Sequence, residues 1–312
     1  MGFLKKKIIG LLLLILVTGG LATVWYLHPT IFRYRHSSNG STYSANGVWI
    51  LNVGWVSMNQ NILENNLTSV LTTLNGSHIE YAFVFVGLWN STSNDIDYTV
   101  SDGLIASTIE GLHSINMTVL AWAENGDDKL NVKPGNRNSL YASITKCVNK
   151  GFDGYNDDVE TYNGTLQDWI DYLNGATSVL HNLGKLMTAD VPNDWRQNIN
   201  PYLHMDYIVS MFYTTKSLLE DPRAAVYWQE NFGQFLLLKK PPGSPMILGI
   251  MNYYGNSHSL AWQLNQIDRL QENYDNPKLA GFSLWVYEYM GTNSDDWQQW
   301  NNWITRLQTH DF

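Results

Sequence analysis

Short apolar segments alternate with longer segments of helical periodicity from Val48 onward. This alternation is typical of repeated βα units, which build parallel sheets. The predicted strands lie near residues 48–55, 79–86, 117–123, 152–160, 185–189, 207–213, 246–252 and 279–285. Helical patterns lie between or after them, for example at residues 166–183, 260–273 and 295–308. Eight strand–helix units predict a single closed (β/α)8 barrel, a TIM barrel, over residues 47–312.

A doubly wound open sheet is the alternative fold for the same alternation. That fold usually carries a glycine-rich phosphate-binding turn after its first strand, and no such turn follows residues 48–55. The 312 residues accommodate one full barrel after an N-terminal segment, so no second domain is needed. The barrel is therefore the favoured architecture.

Residues 1–28 differ in character from the rest of the chain. Lys5, Lys6 and Lys7 precede an uncharged apolar run that continues to about Leu27, which is roughly the length of a helix that crosses a bilayer. We predict an uncleaved transmembrane anchor in a cell membrane, with the lysines cytoplasmic and the barrel extracellular. A cleaved signal peptide and secretion are the alternative, since residues 20–22 (Gly-Leu-Ala) resemble a cleavage site.

The polar, serine-rich residues 29–46 are predicted to form a tether between the anchor and the barrel. An exported location also agrees with the frequency of N-x-S/T sequons, which are acceptors for N-linked glycans. Six of them occur, at Asn39, Asn66, Asn75, Asn90, Asn116 and Asn163. We therefore expect a glycosylated exterior.

The charge of the chain limits its partners. The formal net charge is −9, and five of the 19 basic residues precede the first acidic residue, Glu64. The remaining 14 basic residues face all 28 acidic ones, which argues against nucleic acid as a partner. A neutral glycan fits better, and the 13 Trp, 18 Tyr and 10 Phe supply rings that can stack on sugar faces.

The fourth predicted strand carries the densest polar sequence, Gly-Phe-Asp-Gly-Tyr-Asn-Asp-Asp-Val-Glu at residues 151–160. Because side chains of a strand alternate between its faces, Asn156, Asp158 and Glu160 share one face with Gly154. Such a row in a buried strand can keep one carboxyl group protonated and a second one ionised. A calcium-binding or helix-capping acidic loop is the alternative interpretation. The row predicts the acid site of a glycosidase.

This segment resembles the D-x-x-D-x-D-x-E signature of family-18 glycoside hydrolases, the chitinase and endo-β-N-acetylglucosaminidase family. Asp153 matches the first aspartate, Asp158 the third and Glu160 the terminal glutamate. Asn156 stands where the family usually has the second aspartate, whose carboxyl shares a proton with the group at the position of Asp158. The missing carboxyl implies a slower enzyme or a shifted pH optimum.

Two later segments extend the resemblance. Residues 210–213 (Ser-Met-Phe-Tyr) are similar to the family's M-x-Y strand, in which the tyrosine contacts the substrate acetamido oxygen. Trp285 lies where the family has the eighth-strand tryptophan beneath the reacting sugar. The three matches follow one another in the family's order, from the fourth strand to the eighth.

The resemblance implies hydrolysis of β-linked N-acetylglucosamine-containing glycans by substrate-assisted retention. Glu160 would act as general acid and then as general base. Asp158 would orient the 2-acetamido group and stabilise the oxazolinium intermediate, while Tyr213 would hold the carbonyl oxygen. Asn156 and Trp285 would contact the substrate, and Asp153 would support the strand.

Other aromatic residues are predicted at the carboxyl ends of the strands, where a β/α barrel places its active site. We expect Trp55, Trp122 and Tyr253 to contact the glycan from this rim. Glu124 also falls there. It is either a second carboxylate across the cleft or an ordinary residue of the acidic loop that follows.

The sequence shows no pattern for a metal or another hydrolase mechanism. The eight histidines lack metal-ligand spacing, and neither a G-x-S-x-G elbow nor a P-loop occurs. No cofactor is therefore predicted. The alternative to a hydrolase is a non-catalytic or weakly active glycan-binding surface protein that keeps the barrel and its cleft.

Overall fold

A ring of parallel strands forms the centre of the protein in the computed structural model. The structure describes residues 45–50, 62–125, 129–159, 161–192, 202–211, 245–251, 279–285 and 294–309, together with Leu260 and Leu264. The strands in this part of the chain are β1 (Gly47–Ile50), β2 (Tyr81–Asn90), β3 (Asp95–Tyr98), β4 (Thr118–Glu124), β5 (Leu130–Asn131), β6 (Gly154–Asp158), β7 (Tyr162–Asn163), β8 (Leu186–Pro192), β9 (Tyr207–Met211), β10 (Met246–Met251) and β11 (Leu279–Trp285). The α-helices are α1 (Ile62–Leu74), α2 (Asp102–Ser114), α3 (Arg137–Val148), α4 (Leu166–Asn182) and α5 (Ser294–Thr309).

Eight of these strands form the closed parallel barrel that the alternation predicts. Their order around the ring is β1-β2-β4-β6-β8-β9-β10-β11, and β1 pairs with β2 on one side and with β11 on the other. Strand β1 closes the ring between β11 and β2, and this place is called the seam. Asn46, just before β1, makes hydrogen bonds on both sides of it. Its Oδ1 accepts from the backbone N–H of Phe282 at 3.1 Å, and its Nδ2 donates to the carbonyl of His78 at 3.1 Å.

Large aromatic side chains fill the interior of the barrel. Trp49 and Phe83 stack with ring centroids 4.5 Å apart, and Phe85 meets Trp122 edge to face at 5.1 Å. These side chains belong to one buried apolar cluster. Gly154 lets β6 approach β8 closely, because a Cβ at that position would overlap the carbonyl oxygen of Leu186 on β8. The interior is thus a packed core below the site.

The helices cover the outside of the ring, and local signals fix their ends. Thr165 and Asp168 form a capping box at the start of α4, where each side chain accepts from the backbone N–H of the other. Trp300 of α5 donates its indole N–H to the carbonyl of Ser77 at 2.8 Å. Trp303, one turn further along α5, meets the ring of Phe282 at 4.6 Å. The C-terminal helix therefore packs on the outside of the closing strand β11.

Two small sheet elements were not predicted. Strand β3 returns antiparallel along the carboxyl half of β2, and Gly87 faces it so closely that any Cβ would overlap the carbonyl oxygen of Asp97. Strands β5 and β7, in the loops after β4 and β6, pair with each other. Both elements lie beyond the carboxyl ends of barrel strands or extend them, so they shape the rim that carries the candidate site.

Two strands extend further than the sequence predicts. The predicted second strand ends at residue 86, but β2 continues to Asn90 and includes Trp89. The predicted fifth strand ends at residue 189, but β8 continues to Pro192 and includes Asp190. Both side chains are buried within the strand, at 4% and 2% relative exposure. Asp190 can be buried inside β8 because a hydrogen bond, described below, offsets the cost of burying its carboxyl group.

The N-terminal predictions concern residues that the structure does not describe. Residues 1–28 and most of the tether at 29–46 lie outside its described ranges, as does the sequon at Asn39. Among the described helices, none combines the length and hydropathy that crossing a bilayer requires. The anchor, the signal peptide and the location of the barrel stay predictions.

Candidate active site

Strand β6 separates its polar side chains into two sets, as the predicted alternation requires. Asn156 and Asp158 face the barrel interior, where they bond to side chains of β8 and β4. Tyr155 and Asp157 face outward, where they bond to Trp89 of β2 and Tyr172 of α4. All four side chains of β6 are buried. The strand therefore carries two independent polar groups, one on each face.

Asp158 is held from the neighbouring strand β4. Its Oδ2 accepts a hydrogen bond from the indole Nε1–H of Trp122 at 2.9 Å. The Trp122 ring is fully buried, and Asp158 retains only 3% of its exposure. A buried donor that meets a carboxylate fixes its orientation and offsets part of its desolvation. Trp122, predicted as a rim residue that contacts substrate, thus orients Asp158, and its contact with a glycan stays a prediction.

Asn156 is fixed from the other side, by strand β8. Its Oδ1 accepts from the hydroxyl of Thr188 at 2.6 Å, and its Nδ2 donates to Oδ2 of Asp190 at 2.7 Å. The relative exposure of Asn156 and Thr188 is zero, and that of Asp190 is 2%. The amide is therefore oriented at both of its polar ends. Position 156 contacts β8 in the structure, and its predicted contact with substrate remains untested.

Three carboxyl groups come together at the carboxyl ends of adjacent strands. Glu124, the last residue of β4, is the register partner of Asp158 on β6. Asp157 of β6 and Ala189 of β8 are also register partners, so the next residues, Asp158 and Asp190, lie side by side. Glu124 is thus a strand residue at the rim rather than a residue of the following loop. Hydrogen-bonded strands lie about 4.8 Å apart, which places these carboxyl-bearing positions in one row.

The outward face of β6 holds a carboxyl group that does not belong to this row. Burial raises the pKa of Asp157 from its ordinary value of 3.8 to about 7, and the hydroxyl of Tyr172, which donates to Oδ1 at 2.9 Å, lowers it in part. Burial, together with Asp157, raises the pKa of Tyr172 well above 10.0. Asp157 lies between the sheet and α4, so its ionisation bears on stability rather than on the rim.

Asp153 has a structural role at the opposite end of the strand, as the sequence predicts. Its Oδ2 accepts from the backbone N–H of Val119 on β4 at 2.9 Å and lies 2.8 Å from Nε2 of His113 at the end of α2. Asp206, before β9, repeats this arrangement. Its Oδ2 accepts from Met187 N–H at 2.8 Å and lies 2.8 Å from Nε2 of His181 at the end of α4.

We expect Asp153→Ala to destabilise the barrel by roughly 1–3 kcal/mol, because it leaves the Val119 N–H without its acceptor. Hydrolysis, if measured per folded molecule, should be unchanged, since Asp153 lies at the amino end of β6. Urea unfolding and kcat on the same preparation check both expectations. Asp206→Ala is the matched variant and should behave alike. A selective loss of kcat in Asp153→Ala would assign Asp153 to the reaction instead.

Several predicted site residues lie beyond what the structure describes. Glu160, Trp55, Tyr213 and Tyr253 are outside the described residues. The backbone of Trp285 ends β11 opposite Met251 of β10, but its side chain is not described. Asp158, two positions before Glu160 in the sequence, is described. The roles of these five residues stay predictions.

The sequence interpretation assigned no role to Thr188 or Asp190. Both alternate along β8 with buried apolar residues, and a period of two in polar residues was the available signal. The described residues contain no group of three or more His, Cys, Asp or Glu that could hold a metal ion.

Known proteins are similar to this chain in fold, but the sequence matches no protein-family model and no curated protein. Among solved structures, a chitinase from Bacteroides thetaiotaomicron is similar, with a TM-score of 0.60 and 14% identity over 86% of this chain and 97% of that one. A class V chitinase from Nicotiana tobaccum in complex with NAG4 has a TM-score of 0.57 and 14% identity, over 82% and 99% of the two chains.

A third similar structure is a xylanase-A-amylase inhibitor protein, XAIP-III, with a TM-score of 0.60 and 13% identity over 83% of this chain and 98% of that one. At such identities the likeness shows the fold alone. The chain is a (β/α)8 barrel, the architecture predicted from the sequence, and the similar structures have the same fold.

Proposed function

We propose that this protein is a family-18-type glycoside hydrolase that cleaves β-linked N-acetylglucosamine-containing glycans. The observation that carries the proposal is Asp158, a buried carboxyl group held by Trp122 at 2.9 Å on the interior face of β6. Glu160 follows Asp158 by two positions in the sequence, and the alternation of a strand predicts it on the same face. This pair is what substrate-assisted hydrolysis needs, an acid for the leaving group and a carboxylate for the acetamido group.

In the first step, Glu160 gives its proton to the glycosidic oxygen while the acetamido oxygen of the substrate attacks C1. The C1–oxygen bond breaks, the leaving sugar departs as an alcohol, and a cyclic oxazolinium forms. The carboxylate of Asp158, oriented by Trp122, stabilises the positive charge on the acetamido nitrogen. Tyr213 holds the carbonyl oxygen, and Trp285 supports the sugar ring from below.

In the second step, Glu160 removes a proton from water, which attacks C1 from the side that the leaving group vacated. The oxazolinium opens, the acetamido group is restored, and the product keeps the β configuration. Glu160 ends the cycle protonated. Glu160 carries the proton in both steps, and neither step uses a cofactor.

The experiment that tests this proposal compares two matched substrates. The full-length protein should release chromophore from N-acetylglucosamine oligomers and not from glucose oligomers of the same linkage and length, which lack the acetamido nucleophile. NMR of the initial product should show the β anomer. Equal cleavage of both substrates would contradict substrate assistance.

A non-catalytic glycan-binding protein is the second candidate, and Asn156 favours it because an amide cannot share a proton with Asp158. The same assay separates the two. Binding of N-acetylglucosamine oligomers without any release of chromophore would support the binding protein.

A further inference from the structure

Asp190 is a buried carboxyl group for which the family motif has no role. It lies on β8, two residues after Thr188, and retains 2% of its exposure. Its Oδ2 accepts from Nδ2 of Asn156 at 2.7 Å, a distance typical of a charge-assisted hydrogen bond. Burial of a carboxyl group is costly, so this contact has to offset part of the cost. Asp190 and Asn156 therefore form a unit.

The orientation of Asn156 in this unit is fixed by a third side chain. The hydroxyl of Thr188 donates to Oδ1 of Asn156 at 2.6 Å, which leaves the amide nitrogen to face Asp190. An amide nitrogen is a donor only, so the Asp190 oxygen that it meets is an acceptor, as an ionised carboxylate is. The register of β6 and β8 also sets Asp190 beside Asp158. A carboxyl group thus lies next to Asp158 although position 156 carries none.

We infer that Asp190 is a positioning residue. From β8 it supplies the second carboxyl group that the β6 motif lacks because position 156 is an asparagine. This inference rests on the proposed function and identifies how the departure at position 156 is compensated. The amide is on β6 and the carboxyl group on β8, and the hydrogen bond from Nδ2 of Asn156 to Oδ2 of Asp190 joins them. Asp158 keeps a neighbouring carboxyl group with which it titrates as a pair.

Several ionisable groups share the barrel face with Asp190. Among the described residues, the titratable groups on the barrel face of the packed strands are Tyr81 of β2, Glu124 of β4, Asp158 of β6 and Tyr207 of β9. A buried negative charge makes ionisation of nearby acids harder. An ionised Asp190 therefore makes ionisation of Asp158 harder, and we expect the proposed acid, Glu160, to keep its proton up to a higher pH.

The test uses an exchange of the two side chains. In Asp190→Asn we expect kcat/KM to fall on the order of 10- to 100-fold, and the basic limb of its pH profile to move about one unit lower. The double variant Asn156→Asp/Asp190→Asn rebuilds the pair in the opposite sense and should recover the wild-type limb and most of the rate. Asp206→Asn, which removes a carboxyl group at the other end of the barrel, is the control and should leave the profile in place.

The outcomes separate this inference from the proposed function. If the wild type hydrolyses N-acetylglucosamine oligomers and Asp190→Asn keeps the wild-type pH profile, Asp190 has no positioning role and the hydrolase proposal stands. If Asp190→Asn does not fold, the exchange variant alone decides, because it retains the carboxyl–amide pair. Failure of that folded double variant to recover the wild-type limb overturns the inference.

A wild type without hydrolase activity would end the proposed function, and the coupling is then measured directly. Carboxyl ¹³C NMR of aspartate-labelled protein follows the titration of Asp158 with and without Asp190. A titration of Asp158 that is the same in both proteins overturns the inference, and a shift to lower pH in Asp190→Asn supports it.

Discussion

Glu160→Gln is expected to lower kcat for N-acetylglucosamine oligomers by at least roughly 10²- to 10⁴-fold, the range that general acid–base catalysis supplies. Glutamine keeps the size and hydrogen-bonding capacity of the side chain but has no acidic proton for the glycosidic oxygen. Oligosaccharide binding should persist, because the aromatic and amide contacts are unchanged. Calorimetric titration with the oligomers and a chromogenic assay on the same protein measure the two effects.

The control for this variant is Glu124→Gln. Glu124 is the register partner of Asp158 at the end of β4 and is therefore the other carboxyl group that could reach the same bond. It should retain most of the wild-type kcat. A Glu160→Gln enzyme as fast as the wild type, together with a slow Glu124→Gln enzyme, would move the acid from the β6 motif to β4.

Asp157→Asn is expected to remove a large contribution to the pH dependence of stability between about pH 4 and pH 8. Burial raises the pKa of Asp157 to about 7 in the folded protein, against an ordinary value of 3.8. The folded state therefore binds the proton more tightly than the unfolded state does. The resulting stability is fully present below about pH 4 and is lost as the pH rises through 7, with a total of up to about 4 kcal/mol.

Urea unfolding at pH 5, 6 and 8 measures this effect. The wild type should lose stability across that range, and Asp157→Asn should lose much less. Glu80, whose pKa burial also raises to about 7, retains its own share of the decline in both proteins. Tyr172→Phe is the matched variant: it removes the hydrogen bond that favours the ionised carboxyl, so the decline should extend to higher pH. Parallel curves for wild type and Asp157→Asn would refute the assignment.

The periodicity of apolar residues and the signals at helix ends predicted most of the fold. The helix predicted at residues 166–183 is α4, Leu166–Asn182, and the strand predicted at 279–285 coincides with β11. Both segments combine a clear apolar period with local signals, such as the capping box that starts α4. The hairpin arm β3 was missed because Asp95–Tyr98 is short and acidic, and its pairing with β2 depends on Gly87, which a local pattern does not reveal.

The sequence predicted which side chains of β6 share a face, but not which side chains of the neighbouring strands they contact. Alternation within β6 placed Asn156 and Asp158 on one face, because side-chain period is a local property. The partners of these residues depend on register: Trp122 and Asp190 are 36 and 34 residues away along the chain. A charged residue at position 190 indicated a strand end, since a lone buried carboxylate is costly. The amide of Asn156 offsets that cost, and no single segment of sequence shows it.

The seam at β1 also determines when the barrel can be completed. Asn46 and Phe282, which share a hydrogen bond across the seam, are 236 residues apart in the sequence. During synthesis, β1 can pair with β2 early, but its other partner, β11, is made only after more than two hundred further residues, since Asn46 and Phe282 are 236 positions apart. Contacts of such long separation slow folding and prolong the exposure of unpaired strand edges. The ribosome-bound chain is therefore open along this edge, and chaperone demand should be greatest before β11 emerges.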